Sequence, residues 1–224
     1  WHGALDLDTR GLWASQANLW GDWAQHLGDV SAFVWGDNFP PVQTRFSGAP
    51  LAYHYLTSVT AAAMVVLGMT PGGALTLQSF VFSILVVLSV IALAKRMTGN
   101  GAASLLAVAL FLLGGGLGWV VTLGELVATR PETLARALTE LWDAGAQKEG
   151  NFRWLNVFFS AIAPQRAYLY GLPLFSLIIA TLSHAIERDD DRAFWLAGGV
   201  AGLLPLAHLG TMLALAMATP FMVL

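Results

Sequence analysis

The chain of 224 residues is 56% hydrophobic and 11% charged, whereas a soluble domain carries about a quarter charged residues. This composition predicts a polytopic, all-α integral membrane protein, so the lipid bilayer is its first expected partner. The formal net charge of −3 argues against a nucleic-acid partner, and the absence of cysteine excludes disulfides, thiol chemistry and cysteine-bound zinc. Because the sequence begins at Trp1 and stops at Leu224 inside an apolar run, we expect a fragment of a longer protein.

The first element in chain order is the polar stretch 21–55, which mixes three aspartates, two histidines and an arginine with aromatic residues. The spacing of Asp22, His26 and Asp29 predicts one polar edge of a short helix over about 22–35, because residues three or four apart share a helix face. The opposite, apolar edge would consist of Trp23, Leu27, Val30 and Val34. The pattern predicts a helix lying on a membrane with its carboxylates facing water, ended by the Gly-Asp-Asn turn that follows.

Apolar runs then divide the chain into an external part with juxtamembrane helices, 1–74, and a transmembrane bundle, 75–224. The predicted spans of the bundle lie at about 75–94, 101–123, 168–186, 193–204 and 207–224. An external loop, 124–166, separates the second span from the third and includes an amphipathic helix that starts near Pro131. Pro205 marks the predicted break between the last two spans.

Basic residues at helix ends predict the orientation, because lysine and arginine are enriched in short cytoplasmic loops. Lys95 and Arg96 follow the first span, and Arg188 and Arg192 follow the third, so both loops are predicted to be cytoplasmic. The polar segments would then share the external face. The same argument predicts that the helix at 50–68 lies on the membrane surface and does not cross it.

Five loose motifs spread over most of the chain carry a family resemblance. They are the loop aspartate Asp22, the segment Ala49-Pro50-Leu51-Ala52-Tyr53, the basic pair in Ala94-Lys95-Arg96-Met97-Thr98-Gly99, the segment Pro164-Gln165-Arg166-Ala167-Tyr168, and the glycine-rich helix at 197–210. With these motifs the chain resembles the GT-C class of membrane glycosyltransferases, near the branch of dolichyl-phosphate-mannose protein mannosyltransferases and related bacterial enzymes. It departs from the family pattern because Trp23, and not a second acidic residue, follows the loop aspartate.

The resemblance implies a transferase that moves a sugar from a polyprenyl-phosphate donor to an acceptor outside the membrane. It implies a multi-pass protein of the bacterial plasma membrane, with its site on the external face of the cell envelope. Asp22 is then the candidate general base, which must lie within hydrogen-bond reach of the acceptor hydroxyl. The candidate substrate-binding residues are His26, His54, Gln165, Arg166 and His208.

Charge that develops on the leaving phosphate needs a cation, which an arginine or a bound divalent metal can supply. Arg166 is one candidate for the phosphate, and Arg45 and Arg153 are two more. Asp29 and Asp37 are the candidate ligands of a Mg²⁺ or Mn²⁺ ion. Each of these side chains also has an ordinary structural interpretation, as a solvated loop residue or a hydrogen-bonded structural group.

Two other classes of function stay open from the sequence alone: a polytopic transporter and a non-catalytic membrane assembly protein. Helices broken around Pro205 suit a transporter. The charged residues, however, lie in loops and not at mid-membrane, and the sequence has no internal repeat. His208 lies within an apolar run, where an ionisable residue is a functional candidate, with a helix cap as the rival interpretation.

Overall fold

The computed structural model describes residues 5–8, 11–14, 17–46, 48–116, 118–130, 132–133, 136 and 157–223. Within these ranges the regular structure is helical, as the sequence predicts, apart from one hairpin and one isolated bridge. The hairpin pairs strand β1 (Leu5–Asp8) antiparallel with strand β2 (Gly11–Ala14). No strand is predicted there from the sequence.

Helix α1 (Ala17–Trp35) contains the helix predicted in the opening polar stretch and ends at the predicted residue. The environment of its polar edge is not the predicted one, because His26 and Asp29 are each only 2% exposed. The apolar edge is covered as well, since Trp23 packs in a core shared with helix α2 (Leu56–Val66). The prediction of a water-facing carboxylate is therefore wrong for Asp29, which neighbouring segments enclose and to which the Thr44 hydroxyl donates a hydrogen bond, whereas Asp22 is partly exposed.

The described chain continues with seven helices and one π-helical turn. In chain order they are α3 (Pro71–Thr98), α4 (Gly101–Leu113), α5 (Gly118–Thr129), the π-helical turn Phe158–Ile162, α6 (Arg166–Arg188), α7 (Asp191–Ala201), α8 (Leu204–Ala207) and α9 (Leu209–Val223). Among these helices α3 and α6 are each long and apolar enough to cross a membrane. They contain the first and third predicted spans. The described part of the chain is thus a helical protein with two candidate membrane-spanning helices.

Local sequence signals explain the boundaries of α3. The Thr70 hydroxyl accepts a hydrogen bond from the Gly73 N–H, and Pro71 occupies the first turn, where its missing N–H costs nothing. At the other end, Gly99 takes the left-handed conformation (φ 67°) that commonly terminates helices. The helix is longer than its predicted span because these signals lie outside the apolar run.

A glycine run interrupts the second predicted span, 101–123. The axes of α4 and α5 are bent by 81° at this break. Gly115 (φ 134°) and Gly116 (φ 109°) adopt backbone angles that other residues rarely take. The pair counts as a third span only if the two bent helices cross the membrane together. Most of the predicted loop 124–166, with its amphipathic helix, lies outside the described residues.

Three short helices occupy the region of the last two predicted spans, 193–204 and 207–224. Helix α7 has 11 residues, α8 has 4 and α9 has 15. A helix of 15 residues is roughly 22 Å long, which is shorter than the roughly 30 Å hydrocarbon core of a bilayer. The break lies where the sequence predicts it: Pro205 is in the first turn of α8, and His208 is an extended residue before α9.

Helices α3 and α6 lie side by side and run in the same direction. Near their N-terminal ends, Nη1 of Arg166 donates a hydrogen bond to the carbonyl oxygen of Leu75 at 3.1 Å. At their C-terminal ends, Arg96 and Glu187 form an ion pair. The basic ends of both helices therefore lie at the same end of the protein, which is the arrangement that the charge pattern predicts.

Helix α2 is attached to both long helices by partly buried polar contacts. Nε2 of Gln78 on α3 donates to the Thr60 hydroxyl at 2.8 Å, and that hydroxyl lies 2.7 Å from the Tyr170 hydroxyl on α6. The Tyr170 ring also stacks on Phe82 of α3, with centroids 3.8 Å apart. Because α2 contacts both α3 and α6, it is part of the helical bundle.

Cysteine labelling tests the parallel arrangement of α3 and α6. We expect Met97→Cys and Asp191→Cys, at one end of the pair, to react alike with an impermeant thiol reagent in intact cells. Ala52→Cys, in the segment at the other end, should behave oppositely, because the cysteine-free chain gives no background. If the basic end is cytoplasmic, the first two are protected. Different labelling of Met97→Cys and Asp191→Cys would contradict the arrangement.

Candidate functional site

A polar cavity of about 190 Å³ lies at the N-terminal end of α6. Four separate segments build it: α1, the residues just before α2, the start of α6, and the linker between α8 and α9. The predicted catalytic and substrate-binding residues all line it, namely Asp22, His26, His54, Gln165, Arg166 and His208. Tyr53 and Ala167 complete the lining. Residues far apart in the sequence are thus brought to one small site.

Helix α1 places Asp22 and His26 one turn apart on the wall of this cavity. Nδ1 of His26 lies 3.0 Å from the Ser58 hydroxyl on α2, which fixes the orientation of the ring. Burial, helped by the nearby positive charge of Arg166, lowers the pKa of His26 to about 3. The imidazole is therefore neutral at pH 7, with one donor and one acceptor nitrogen.

The guanidinium group of Arg166 is held at the cavity wall from several directions. Its central carbon lies 3.4 Å from the centroid of the Trp23 ring, well within the range of a cation–π interaction. Nη1 donates to the carbonyl oxygen of Leu75 at 3.1 Å, and Nη2 lies 3.5 Å from that of Ala163. The side chain is 1% exposed, so its position is set by α1, α3 and the turn before α6.

The half-buried carboxyl group of Asp22 stands in the field of this arginine. Burial raises the pKa of Asp22 above its ordinary value of 3.8, and the positive charges of Arg166 and Arg45 oppose the rise. A carboxylate with a raised pKa is a stronger base than a solvated one. Arg45 itself is exposed and donates to Oε1 of Gln25 at 2.9 Å, so it lies outside the cavity lining.

His54 and His208 form the wall contributed by the segments before α2 and α9. Their ring centroids are 5.5 Å apart, and the His54 ring also packs at 3.8 Å on Tyr53. Burial, with a smaller contribution from His208, lowers the pKa of His54 to about 4. The helix-cap interpretation of His208 is confirmed, because its Nδ1 accepts a hydrogen bond from the Thr211 N–H at 3.2 Å, and its functional role stays a prediction.

A glycine on α6 makes room for the His208 segment. A Cβ atom at Gly171 would lie 2.5 Å from the Cβ of His208 and 2.6 Å from the hydroxyl oxygen of Thr211, closer than real contacts allow. Only hydrogen at this position lets α6 approach the linker between α8 and α9. The approach brings the imidazole of His208 to the same cavity as Arg166.

The two predicted metal ligands, Asp29 and Asp37, do not line the cavity. Oδ1 of Asp29 accepts a hydrogen bond from the Thr44 hydroxyl at 3.3 Å, while Asp37 is exposed just beyond α1. In the part of the chain that the structure describes, no group of three or more histidine, aspartate or glutamate side chains could hold a metal ion. The divalent metal therefore stays a sequence-based prediction. Arg153 lies outside the described residues.

Two residues of the site lack a role in the sequence-based prediction. Trp23 is predicted to be on a membrane-facing edge, yet its ring supports the guanidinium of Arg166. No spacing rule connects these positions, because they are far apart in the chain. Tyr53 could have been predicted as a site residue, because it ends one of the family-like motifs and directly precedes the candidate residue His54.

Substitution of Gly171 tests the close approach of α6. We expect Gly171→Ala to lower the stability by about 1–3 kcal/mol, because the methyl group must displace the His208 segment. Gly198→Ala on α7 is the matched control, since a Cβ there meets nothing within 4 Å and alanine favours the helix. Thermal unfolding in detergent measures both. Equal stability of the two variants would show that the α6 contact is loose.

Comparison of the chain with protein-family models, with curated proteins and with solved structures finds no match in any of the three. The resemblance to the GT-C class therefore stays a prediction made from the sequence. Support for a function comes from the residues and the geometry described above.

Proposed function

We propose that this chain forms the active-site region of a membrane glycosyltransferase, which transfers a sugar from a polyprenyl-phosphate donor to an acceptor hydroxyl. The observation that carries the proposal is the meeting of a basic carboxylate, a buried guanidinium and neutral imidazoles at one cavity. This cavity lies at one end of the two candidate membrane-spanning helices. The proposal includes the external face of a bacterial plasma membrane as its location.

The size of the cavity favours a donor of which only a small part enters the protein. Its volume of about 190 Å³ is below the roughly 300–1,000 Å³ of sites that enclose a whole drug-sized ligand. A sugar with its phosphate is a small polar group, and the polyprenyl chain of such a donor can stay in the bilayer. A soluble nucleotide sugar would need a larger polar site.

The residues divide the proposed reaction between a base and a cation. The carboxylate of Asp22 removes the proton of the acceptor hydroxyl while the acceptor oxygen attacks the anomeric carbon. The bond between that carbon and the phosphate oxygen breaks, and both its electrons leave with the phosphate. Arg166 stabilises the added negative charge through charge-assisted hydrogen bonds. The proton on Asp22 then passes to water.

Neutral histidines suit the sugar ring. An uncharged imidazole has one donor and one acceptor nitrogen, and a sugar hydroxyl can both donate and accept. His26, His54 and His208 offer this combination from three directions around the cavity. The exposed amide of Gln165 adds a further donor and acceptor at the rim. These four residues would orient the sugar, while Asp22 acts on the acceptor.

Asp22→Asn tests the base in full-length protein reconstituted with labelled polyprenyl-phosphate sugars. We expect turnover to fall about 10²–10⁴-fold, because the amide keeps the shape but cannot accept the proton. The transfer rate of the parent protein should decline as the pH falls through the pKa of Asp22, which lies above 3.8, because protonation removes the base. The variant should lack this acidic decline in its pH–rate profile. Asp189→Asn, which alters an exposed carboxylate just beyond the C-terminal end of α6, is the control. Transfer by Asp22→Asn at the parent's rate would exclude the role.

Arg166→Lys tests the cation without removing the charge. We expect a higher apparent KM for the donor by about tenfold, because lysine lacks the planar fork that binds phosphate in two places. The acceptor KM should stay unchanged, and a melting curve checks that the buried site still folds. Arg188→Lys, which alters an exposed arginine at the C-terminal end of α6, is the matched control. A higher KM for the acceptor alone would contradict phosphate binding by Arg166.

A further inference from the structure

A second cavity, of about 520 Å³, lies at the opposite end of α3 and α6 from the polar cavity. Three helices contribute to it. Its basic lining residues are Arg96 of α3, His184 of α6 and Arg192 of α7, and its apolar ones include Ala180, Ala193 and Leu196. Neither the proposed reaction nor the family resemblance gives this place a role.

The charges at this cavity balance once Glu187, which pairs with Arg96, is counted with the lining residues. Two guanidinium groups, Arg96 and Arg192, face one carboxylate, Asp190. Oδ1 of Asp190 is already engaged, because it caps α7 by accepting the N–H of Arg192 at 2.9 Å and that of Ala193 at 3.4 Å. Glu187, beside the cavity, pairs with Arg96 from the α6 side. A bound phosphate would therefore contact two guanidinium groups on different helices and would compete with Glu187 for Arg96.

The apolar part of the lining continues onto exposed surface. Leu196 is 58% exposed, and its neighbour Trp195 is 82% exposed. Tryptophan is enriched at the headgroup level of membranes, where an apolar ring meets water. The cavity thus joins a charged rim at the ends of two candidate spans to an apolar surface alongside it. A phospholipid has the same two parts, an anionic phosphate and acyl chains.

We propose that this cavity binds an anionic phospholipid, with its phosphate between Arg96 and Arg192 and an acyl chain against Leu196. Arginines bind phosphate oxygens through charge-assisted hydrogen bonds, and basic pockets between helices at the cytoplasmic side are suited to anionic headgroups. The position agrees with the predicted cytoplasmic location of these two basic loops. The inference depends on α3, α6 and α7 alone, so it is independent of the proposed glycosyltransferase reaction.

Neighbouring basic residues provide matched controls for a specific site. Lys95 precedes Arg96, and Arg188 ends α6, yet neither lines the cavity. General attraction to an anionic membrane acts over about a Debye length, roughly 8–10 Å, so each of the four basic residues would contribute nearly equally to lipid binding. At a specific lipid site, only the two arginines of the lining would contribute to binding.

The test measures lipid binding to the detergent-solubilised full-length protein by native mass spectrometry, with phosphatidylglycerol and phosphatidylcholine as probes. We expect the parent protein to bind phosphatidylglycerol more tightly than phosphatidylcholine. Arg96→Gln and Arg192→Gln should each weaken the binding of phosphatidylglycerol about tenfold, because each variant loses one charge-assisted hydrogen bond. Arg188→Gln and Lys95→Gln should stay within about twofold of the parent. Equal losses in all four variants, or no loss in any, would overturn the proposal.

Two further measurements separate the lipid site from other causes. Glu187→Gln breaks the ion pair with Arg96 but keeps the arginine, so it should retain or strengthen lipid binding. A loss there would show that helix separation, and not lost contact with phosphate, explains Arg96→Gln. Glycerol 3-phosphate carries the headgroup chemistry without acyl chains, and we expect it to compete only weakly. Competition as strong as that of the lipid would identify a soluble phosphate as the ligand and overturn the lipid assignment.

Discussion

The guanidinium group of Arg166 is removed from water where α1, α3 and α6 meet. Burial of an unpaired charge costs several kcal/mol, so the surrounding segments must compensate for the lost hydration. The Trp23 ring lies against one face of the guanidinium, the Leu75 carbonyl accepts a hydrogen bond, and the negative charge of Asp22 lies nearby. These partners belong to different elements, so the arginine fixes how the elements meet.

The same contact also sets the geometry of the polar cavity. Because Trp23 and His26 are on one helix, seating the Trp23 ring under Arg166 turns the polar edge of α1 inward. His26 can then reach Ser58 on α2, and Asp22 stands at the opening. Burial acts on both kinds of titratable group by favouring the neutral form. It leaves uncharged imidazoles beside a carboxyl group that is a better base than one in water.

A second contact, between Arg96 and Glu187, holds the far ends of α3 and α6 together. The two long helices are thus joined at both ends, by a buried cation at one and an exposed ion pair at the other. The two ends present different side chains: neutral histidines and the half-buried carboxyl group of Asp22 near Arg166, and arginines beside apolar residues near Arg96.

The sequence by itself determined the helical class, the two long apolar helices, the end of α1 and the break near Pro205. These follow from composition, capping residues and proline, which act locally. It also singled out the six residues that meet at the polar cavity, from their chemistry and the family-like motifs. Only the tertiary structure decided which face of α1 is buried and that Trp23 supports Arg166. Spacing along a helix states which side chains share a face, but burial depends on partners that are distant in the chain.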